Sequence, residues 1–205
     1  MTLLGIKFDP KATLVIILGT VLPLVDLYNH TCFSIKAYDR LVLYLVIPVV
    51  VIRLVFKEPL REYGFRWGNW KEGLAWTVGA CLVMALILSV VARLPEMVSY
   101  YQPRSQSGFW RAAWESAVDL IGWEFIWRGF TLFALARVTG PGTAIWLQAV
   151  PFTFAHLRKP EIETFSCILG GAGFGLVAWR SKSFVYPFLI HLFIACWTTW
   201  LAMGG

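Results

Sequence analysis

The sequence is poor in charged side chains. Asp, Glu, Lys and Arg together make up 15% of its 205 residues, against about 25% in soluble globular domains. Hydrophobic residues make up 58%, and the mean hydropathy is +0.65. This composition excludes an ordinary water-soluble domain and predicts an integral membrane protein.

Long polar stretches are also scarce. Apolar segments of the length needed to cross a bilayer, about 17–25 residues, recur along the whole chain with short polar breaks between them. We therefore predict an all-α, polytopic transmembrane helix bundle of about seven spans, forming a single domain over residues 1–205. The predicted spans are 12–29, 41–57, 72–93, 111–137, 142–157, 162–180 and 183–203.

A concentrated basic stripe is missing, although the net charge is +6. The basic residues lie between hydrophobic segments, so we expect the lipid bilayer with its anionic headgroups as their partner, and no nucleic acid. The four cysteines show no CxxC pair and no regular spacing. They are typical of buried small hydrophobic residues rather than of a disulfide framework.

The longest polar break, RLVFKEPLREYGFRWGNWKEG, lies between the second and third predicted spans and mixes basic with aromatic residues. This mixture predicts an amphipathic segment in the headgroup layer. If the segment is cytoplasmic, seven spans place the N-terminus inside and the C-terminus outside, with ten basic residues inside and seven outside. The other long break, 93–110, contains Pro95 and Pro103 and is predicted to be irregular.

Ionisable residues inside apolar segments are the most informative feature. In GWEFIWRG, Glu124 and Arg128 lie one helical turn apart and share a face. An ionisable group inside a bilayer costs at least about 2.5–3.5 kcal/mol, so it indicates function when a partner is near. The alternative is a buried ion pair that only fixes helix position.

Two of the three histidines also fall in late apolar segments. His156 follows Phe152 by one turn and Gln148 by two, and His191 lies within the seventh predicted span. The third, His30, follows Asp26 by one turn and is expected to be structural. A lone histidine in a helix is usually a satisfied core residue. A glutamate with two histidines on neighbouring spans, however, supplies what the activation of water requires.

The sixth predicted span contains GGAGFG, in which Gly171 and Gly175 have the GxxxG spacing. That spacing predicts close packing of two helices. Two other interpretations stay open, namely a surface against which a substrate backbone lies and the contact of a homodimer.

The order Glu-x-x-x-Arg-Gly, then Phe-x-x-x-His, then a late intramembrane His resembles the CAAX protease and bacteriocin-processing (Abi) family of intramembrane peptidases. The motif-bearing core spans 111–203. The resemblance implies a helix bundle whose core encloses a cavity inside the membrane, and hydrolysis of a peptide bond in a membrane-anchored protein or peptide. It implies that Glu124 and His156 activate water, that Arg128 orients Glu124, and that Phe152 belongs to the second motif. His191, with Gln148 as a possible helper, is expected to stabilise the oxyanion.

Two positions depart from the family pattern. The common first motif is Glu-Glu-x-x-x-Arg, and its first glutamate corresponds to Trp123 here. The usual third motif is His-x-x-x-Asn, in which an asparagine follows the histidine by four residues. Here Ala195 stands at that position, and the only asparagines are Asn29 and Asn69. These departures keep open a non-catalytic membrane scaffold or bacteriocin-immunity-type protein, and a small proton-coupled transporter is a third alternative.

Beyond His156, Lys159 and Glu161 are candidates for gripping a substrate terminus or supporting His156, or else form an ordinary polar turn. A glutamate and two histidines can bind zinc, but HExxH is absent, and we expect metal-independent catalysis without a cofactor. The expected location is the inner (plasma) membrane of a prokaryote.

Overall fold

The structure is a computed structural model that describes residues 2–28, 33, 35–106 and 108–204. His30, Asn29 and Cys32 lie outside these residues. The described chain is a bundle of α-helices preceded by a small antiparallel hairpin of strands β1 (Thr2–Leu3) and β2 (Ile6–Lys7). The predicted all-α class is confirmed, and the hairpin is an addition that the sequence did not suggest.

The described residues before position 56 form two long helices. The first is α1 (Pro10–Tyr28). The second is a continuous helix in which α-helical and π-helical turns alternate; its parts are α2 (Lys36–Leu41), a π segment (Val42–Val46), α3 (Ile47–Val50) and a second π segment (Val51–Val55).

The chain from residue 70 onwards contains the remaining helices, among them those that carry the motifs. In chain order they are α4 (Trp70–Val91), α5 (Pro95–Tyr101), α6 (Phe109–Glu124), a π segment (Phe125–Thr131), α7 (Leu132–Thr139), α8 (Pro141–Phe154), α9 (Glu161–Ser181) and α10 (Val185–Ala202). The turns from Phe109 to Thr139 follow one another without a break and make one long helix.

Four helices of the described chain are long and apolar enough to cross a membrane, namely α1, α4, α9 and α10. The protein is therefore a multi-pass membrane protein. The predicted total of seven spans is not confirmed by length and composition, because the second helix is broken into short elements and α8 has 14 residues.

Ion pairs show which parts of the chain lie at the same end of the bundle. At one end, which we call the first end, Glu58 accepts hydrogen bonds from Lys11 and, at 2.7 Å, from Arg137. At the opposite, second end, Arg40 donates to Asp26 at 3.0 Å and to Asp119 at 2.8 Å. Helix α1, the helix from α2 to Val55, and the helix from α6 to α7 therefore each run between the two ends.

The connection between α4 and α6 is more regular than predicted. Residues Pro95–Tyr101 form α5, and a 3-10 turn follows at Gln102–Ser105. Proline is favoured in the first turn of a helix, where its missing N–H costs nothing. Pro95 therefore starts a helix here, and the expectation of an irregular stretch was wrong for these residues.

The interfacial segment between the second helix and α4 is confirmed as a connection at the first end, but it is mostly non-helical. It contains one 3-10 turn, Leu60–Tyr63. Trp67 and Trp70 are exposed, whereas Tyr63 is fully buried. Exposed tryptophans of this kind suit the headgroup layer.

Buried aromatic rings fill the bundle near the first end. Phe125 packs on Phe184 with ring centroids 5.1 Å apart, and Tyr63 packs on Phe130 at 6.3 Å. Phe133 completes this group, which we call the aromatic plug. The plug fills the bundle at the first end, where Tyr63, Phe125 and Phe130 are fully buried.

Candidate active site

Glu124 and Arg128 form the predicted ion pair in the middle of the long helix. Arg128 Nη1 donates to Glu124 Oε1 at 3.2 Å, and both side chains are completely buried. Arg128 lies in the π segment Phe125–Thr131, a kind of turn that is frequent at functional sites. Gly129 permits this packing, because a Cβ there would lie 2.6 Å from the Phe125 ring.

His191 is the second partner of the same carboxylate. Its Nδ1 lies 2.6 Å from Glu124 Oε1, which joins α10 to the long helix. A carboxylate can only accept, so the short contact is an Nδ1–H donating to Glu124. In the neutral imidazole this leaves Nε2 unprotonated and able to take a proton.

His156 follows α8 directly and is fixed in the same way. Its Nδ1 lies 2.7 Å from the carbonyl oxygen of Phe152, which can only accept. His156 therefore carries its proton on Nδ1 and presents Nε2 as an acceptor. Its ring packs at 4.5 Å on Phe152, and Phe152 in turn packs on His191 at 6.3 Å.

A cavity of about 1430 Å³ lies beside these groups. His156, His191, Phe152, Trp123 and Ala195 line it. Glu124, Arg128 and Gln148 are not among its lining residues. The two imidazoles thus face the cavity, while the ion pair that supports His191 lies behind them.

Trp123 lines the cavity at the position where the family pattern has its first glutamate. Its ring packs edge-on against His156 at 5.6 Å and against Tyr44 at 5.3 Å, and the Arg40 guanidinium lies 5.4 Å from it. Asp119, one turn before Trp123, holds Arg40. Sequence reasoning missed Arg40 and Tyr44, although a basic residue and a tyrosine one turn apart in an apolar segment were a usable signal.

Gln148 occupies a different position from the one expected of an oxyanion donor. Its Nε2 donates to the carbonyl oxygens of Ile145 and Gly171, both at 2.8 Å, and the side chain is fully buried. Since both amide protons are engaged and Gln148 does not line the cavity, its geometry does not support that role.

Gly171 and Gly175 of α9 pack against another helix of the same chain. A Cβ on Gly171 would lie 2.9 Å from the Phe152 ring, and one on Gly175 would lie 2.7 Å from Gln148 Nε2. These two glycines let α9 approach α8, as the close-packing interpretation predicted, and nothing here supports a homodimer. Gly170 and Gly173, in contrast, face the cavity.

Polar residues after His156 form a chain of hydrogen bonds at the cavity rim. Lys159 donates to Glu163 at 2.6 Å, and the Tyr101 hydroxyl donates to the other oxygen of Glu163 at 2.6 Å. Burial lowers the pKa of Lys159, but the neighbouring Tyr101 and Glu163 raise it overall, so Lys159 stays charged. Glu161 is exposed and does not line the cavity. Glu163 lines the cavity instead, where we had expected Glu161.

Metal binding by these groups has limited geometric support. Within the described residues, no three His, Cys, Asp or Glu side chains are arranged to hold a metal ion. Glu124 has Oε1 engaged by both Arg128 and His191, and His156 is tied to Phe152. The arrangement is better suited to proton transfer between protein groups and water.

The fold and the site together define a multi-pass helical membrane protein with a buried Glu–Arg pair, and with two histidines on a cavity inside the bundle. Residues 105–197, which hold every candidate catalytic residue, match the family model for type II CAAX prenyl endopeptidases, Rce1-like. The resemblance seen in the motifs is therefore confirmed. Comparison with curated proteins and with solved structures gave no match.

Proposed function

We propose that the chain is an intramembrane endopeptidase that hydrolyses a peptide bond of a membrane-associated protein or peptide with activated water. The observation that carries the proposal is the 2.6 Å contact between Glu124 Oε1 and His191 Nδ1, with His191 facing the cavity. The match of residues 105–197 to a family of proteases supports the reaction type.

His191 acts as the base in this proposal. Glu124 holds Nδ1–H and fixes the tautomer, so that Nε2 takes a proton from water as its oxygen attacks the peptide carbonyl carbon. Arg128 donates to the same oxygen of Glu124 at 3.2 Å and so fixes the position of the carboxylate. Glu124 therefore orients His191 instead of contacting water itself, which differs from the expectation drawn from the resemblance, because Glu124 does not line the cavity.

His156 holds the same water through its unprotonated Nε2. Once His191 is protonated, the imidazolium stabilises the oxyanion of the tetrahedral intermediate. The C–N bond then breaks as the proton passes from His191 to the leaving nitrogen, so that peptide and water yield a carboxylic acid and an amine. A positively charged Lys159 near the rim offers a partner for a substrate carboxylate.

The second candidate function is a non-catalytic scaffold with the same fold. The observation that favours it is Trp123, whose bulky ring packs on His156 at the position of the family's first glutamate. Ala195 also lacks the amide of the family pattern. In that case the cavity binds a peptide or partner helix without cleaving it.

A cleavage experiment separates the two functions. The purified protein is reconstituted in liposomes with membrane-anchored peptides, and new N-termini are identified by mass spectrometry. We expect products with the native protein, a loss of about 10²–10⁴-fold in rate for His191→Gln and for His156→Gln, and no change for the lipid-facing Leu86→Ala. Product formation that survives both histidine substitutions contradicts the proposal, and peptide binding without any product supports the scaffold.

The same proposal places the protein in the inner membrane of a prokaryote. The four helices able to cross a membrane support a multi-pass membrane location. Fractionation of the source cells tests the membrane in question.

A further inference from the structure

Three cationic side chains come together at the first end of the bundle, where the interfacial segment lies against the end of α9. They are Arg66 of the interfacial segment, Arg180 in the last turn of α9, and Lys182, which follows that helix. Arg66 Nε donates to the carbonyl oxygen of Lys182 at 3.1 Å. We call this group the basic corner. Because like charges repel one another, the chain has to hold this group together.

Backbone contacts hold the basic corner in place. The backbone N–H of Asn69 donates to the carbonyl oxygen of Ser181 at 2.7 Å, and the side-chain amide of Asn69 donates to that of Arg180 at 3.1 Å. Gly68 has a φ of +56°, and a Cβ there would lie 2.0 Å from the Ser181 carbonyl oxygen. Glycine permits this close approach, which any side chain would block. The interfacial segment is therefore fixed to the end of α9 through its backbone, and the cations are brought together with it.

Much of the positive charge of the basic corner is not neutralised within the chain. Glu72, a carboxylate that contacts the corner, accepts a hydrogen bond from Arg180 at 2.6 Å. Arg66 and Lys182 form no ion pair with any residue that the structure describes. Burial lowers the pKa of Lys182, the neighbouring Arg66 and Arg180 lower it further, and Glu72 acts in the opposite sense. The corner thus holds two cations that an anion would stabilise.

The dipole of α9 accounts for part of this arrangement, because cations interact favourably with the C-terminal end of a helix. Arg66 uses one of its five N–H donors on the Lys182 carbonyl oxygen, and the other four donate to no described residue. The Lys182 ammonium lies 3.6 Å from the centre of the Trp179 ring, a contact that holds the side chain without neutralising it. Donors of both side chains therefore remain for a ligand.

The basic corner lies at the membrane surface. It joins the start of α4 to the end of α9, and both helices are long and apolar enough to cross a membrane. Trp67 and Trp70 beside it are 69% and 57% exposed, and tryptophan is enriched at the level of the lipid headgroups. The remaining donors of Arg66 and Lys182 are therefore at the depth where the phosphates of phospholipids lie.

From this arrangement we propose that the basic corner binds the phosphate of an anionic phospholipid, with Arg66 and Lys182 as its ligands. The guanidinium fork of arginine binds two phosphate oxygens at once, and the lysine ammonium adds a point charge. Exposed apolar side chains of α4, among them Leu74 and Val78, lead from this end of the helix into the bilayer and suit the acyl chains of the same lipid. A soluble phosphate would lack that second contact. The site does not depend on the proposed hydrolysis.

Lipid binding is measured with the purified protein in detergent. Phosphatidylglycerol or phosphatidylcholine is added in increasing amounts, and bound lipid molecules are counted by native mass spectrometry. Inorganic phosphate is then added as a competitor. We expect phosphatidylglycerol to bind more tightly than phosphatidylcholine and to stay bound when inorganic phosphate is present at the same concentration. Equal binding of the two lipids overturns the inference, and so does displacement of phosphatidylglycerol by inorganic phosphate.

Variants that remove a charge locate the bound lipid. Arg66→Gln removes the guanidinium fork. Lys182→Asn removes the ammonium, and asparagine tolerates the positive φ of 57° at this position. A hydrogen bond to a charged group is worth about tenfold in affinity, so each variant should bind phosphatidylglycerol about tenfold more weakly. If the two cations serve only to cap α9, both variants lose stability in SDS unfolding while lipid binding stays unchanged, and the inference fails.

Arg61→Gln is the matched control. It removes one charge from the same interfacial segment, but the Arg61 side chain is 72% exposed and lies 4.0 Å from Glu62. This variant should bind phosphatidylglycerol nearly as tightly as the native protein. Equal losses for Arg61→Gln and Arg66→Gln would show a general attraction between charges instead of a site, and would overturn the inference.

A variant that gains affinity guards against a failure to fold. Glu72→Gln removes the carboxylate that engages Arg180, so a third cation becomes available to the phosphate. We expect this variant to bind phosphatidylglycerol up to about tenfold more tightly than the native protein, a result that misfolding cannot produce. Unchanged or weaker binding by Glu72→Gln contradicts the inference.

Discussion

Glu124 Oε1 lies 2.6 Å from His191 Nδ1 and 3.2 Å from Arg128 Nη1, so one buried oxygen connects the long helix to α10. The two contacts have different consequences. The contact with His191 fixes the imidazole tautomer that the proposed hydrolysis requires. The contact with Arg128 compensates a buried charge and belongs to stability.

The first prediction concerns the chemistry. In Glu124→Gln, the amide keeps the size of the side chain but removes the negative charge that stabilises a protonated His191. We expect peptide cleavage to fall by about 10²–10⁴-fold, with the loss in kcat and little change in KM, because Glu124 does not line the cavity. Initial rates of cleavage in liposomes, with peptide in excess over the protein and varied in concentration, measure both quantities. An increase in KM at unchanged kcat would show that Glu124 serves substrate binding instead.

The second prediction concerns stability. Without the Glu124 carboxylate, Arg128 keeps a 3.5 Å contact to the Gly171 carbonyl oxygen and cation–π contacts with Phe152 and Phe174 at 3.9 and 5.1 Å. None of these groups carries a negative charge, so Glu124→Gln leaves a buried cation without a counter-ion. Breaking such a pair costs about 3–5 kcal/mol in the free energy of unfolding. Arg128→Met should cost less, since Glu124 keeps His191.

A double-mutant cycle checks this asymmetry. Unfolding in mixed detergent and SDS is measured for both single variants and for the double variant. The double variant should lose about 0.5–3 kcal/mol less than the sum of the two single losses. Strict additivity would mean that the two side chains do not support each other.

Much of this site could be predicted from the sequence. Glu124 and Arg128 are four residues apart on a helix, and that spacing alone dictates a shared face. The approach of α9 to α8 followed from the spacing of Gly171 and Gly175. In each case a local periodicity determines the result, and no knowledge of helix rotation is needed.

Other features depend on how each helix is rotated about its axis, which the sequence does not determine. Glu161 and Glu163 are two residues apart and therefore point about 200° apart; Glu163 faces the cavity and Glu161 faces outward. The rotation of α8 likewise determines the position of Gln148, whose amide group donates hydrogen bonds to two backbone carbonyl oxygens. It also applied to Glu124, which contacts His191 and lies behind the cavity wall.

The third prediction uses the two faces of α9. In Gly175→Ala, the new Cβ would lie 2.7 Å from Gln148 Nε2, inside a packed contact. We expect a loss of about 1–3 kcal/mol in the free energy of unfolding, as for other overpacked cores. Gly173→Ala is the matched control, because its Cβ would meet nothing within 4 Å. Alanine is the better helix former by about 1 kcal/mol, so this variant should be as stable as the native protein or slightly more.

The outcome for Gly173→Ala is measured in the same SDS unfolding experiment. Equal destabilisation of the two variants would show that α9 is rotated differently from the structure described above. A larger residue at the cavity face, as in Gly173→Leu, should leave stability intact and raise KM for peptide, since it narrows the wall available to substrate.

The fourth prediction concerns pH and the first end. Burial alone would raise the pKa of Glu58, but hydrogen bonds from Lys11, Tyr63 and Arg137 lower it to about 2. The unfolded value for glutamate is about 4.3. Because the folded pKa is the lower one, the contribution of Glu58 to stability is complete above about pH 4.3 and is lost as the pH falls from there to about 2.

Glu58→Gln removes this titration, so the difference in unfolding free energy between native protein and variant should be constant between pH 8 and 5 and should shrink between pH 4 and 2. Glu62→Gln is the matched control: its carboxylate is half exposed and makes contacts of 4.0 Å to Arg61 and Arg137. Since long, exposed ion pairs contribute little, this variant should follow the native protein at every pH.

The three connections made by Glu58 join α1, the interfacial segment and α7, so its protonation should also loosen the first end. Faster hydrogen exchange near Tyr63 at pH 3 than at pH 6, after correction for the intrinsic rate, measures that effect, and an unchanged protection would place the stabilisation elsewhere.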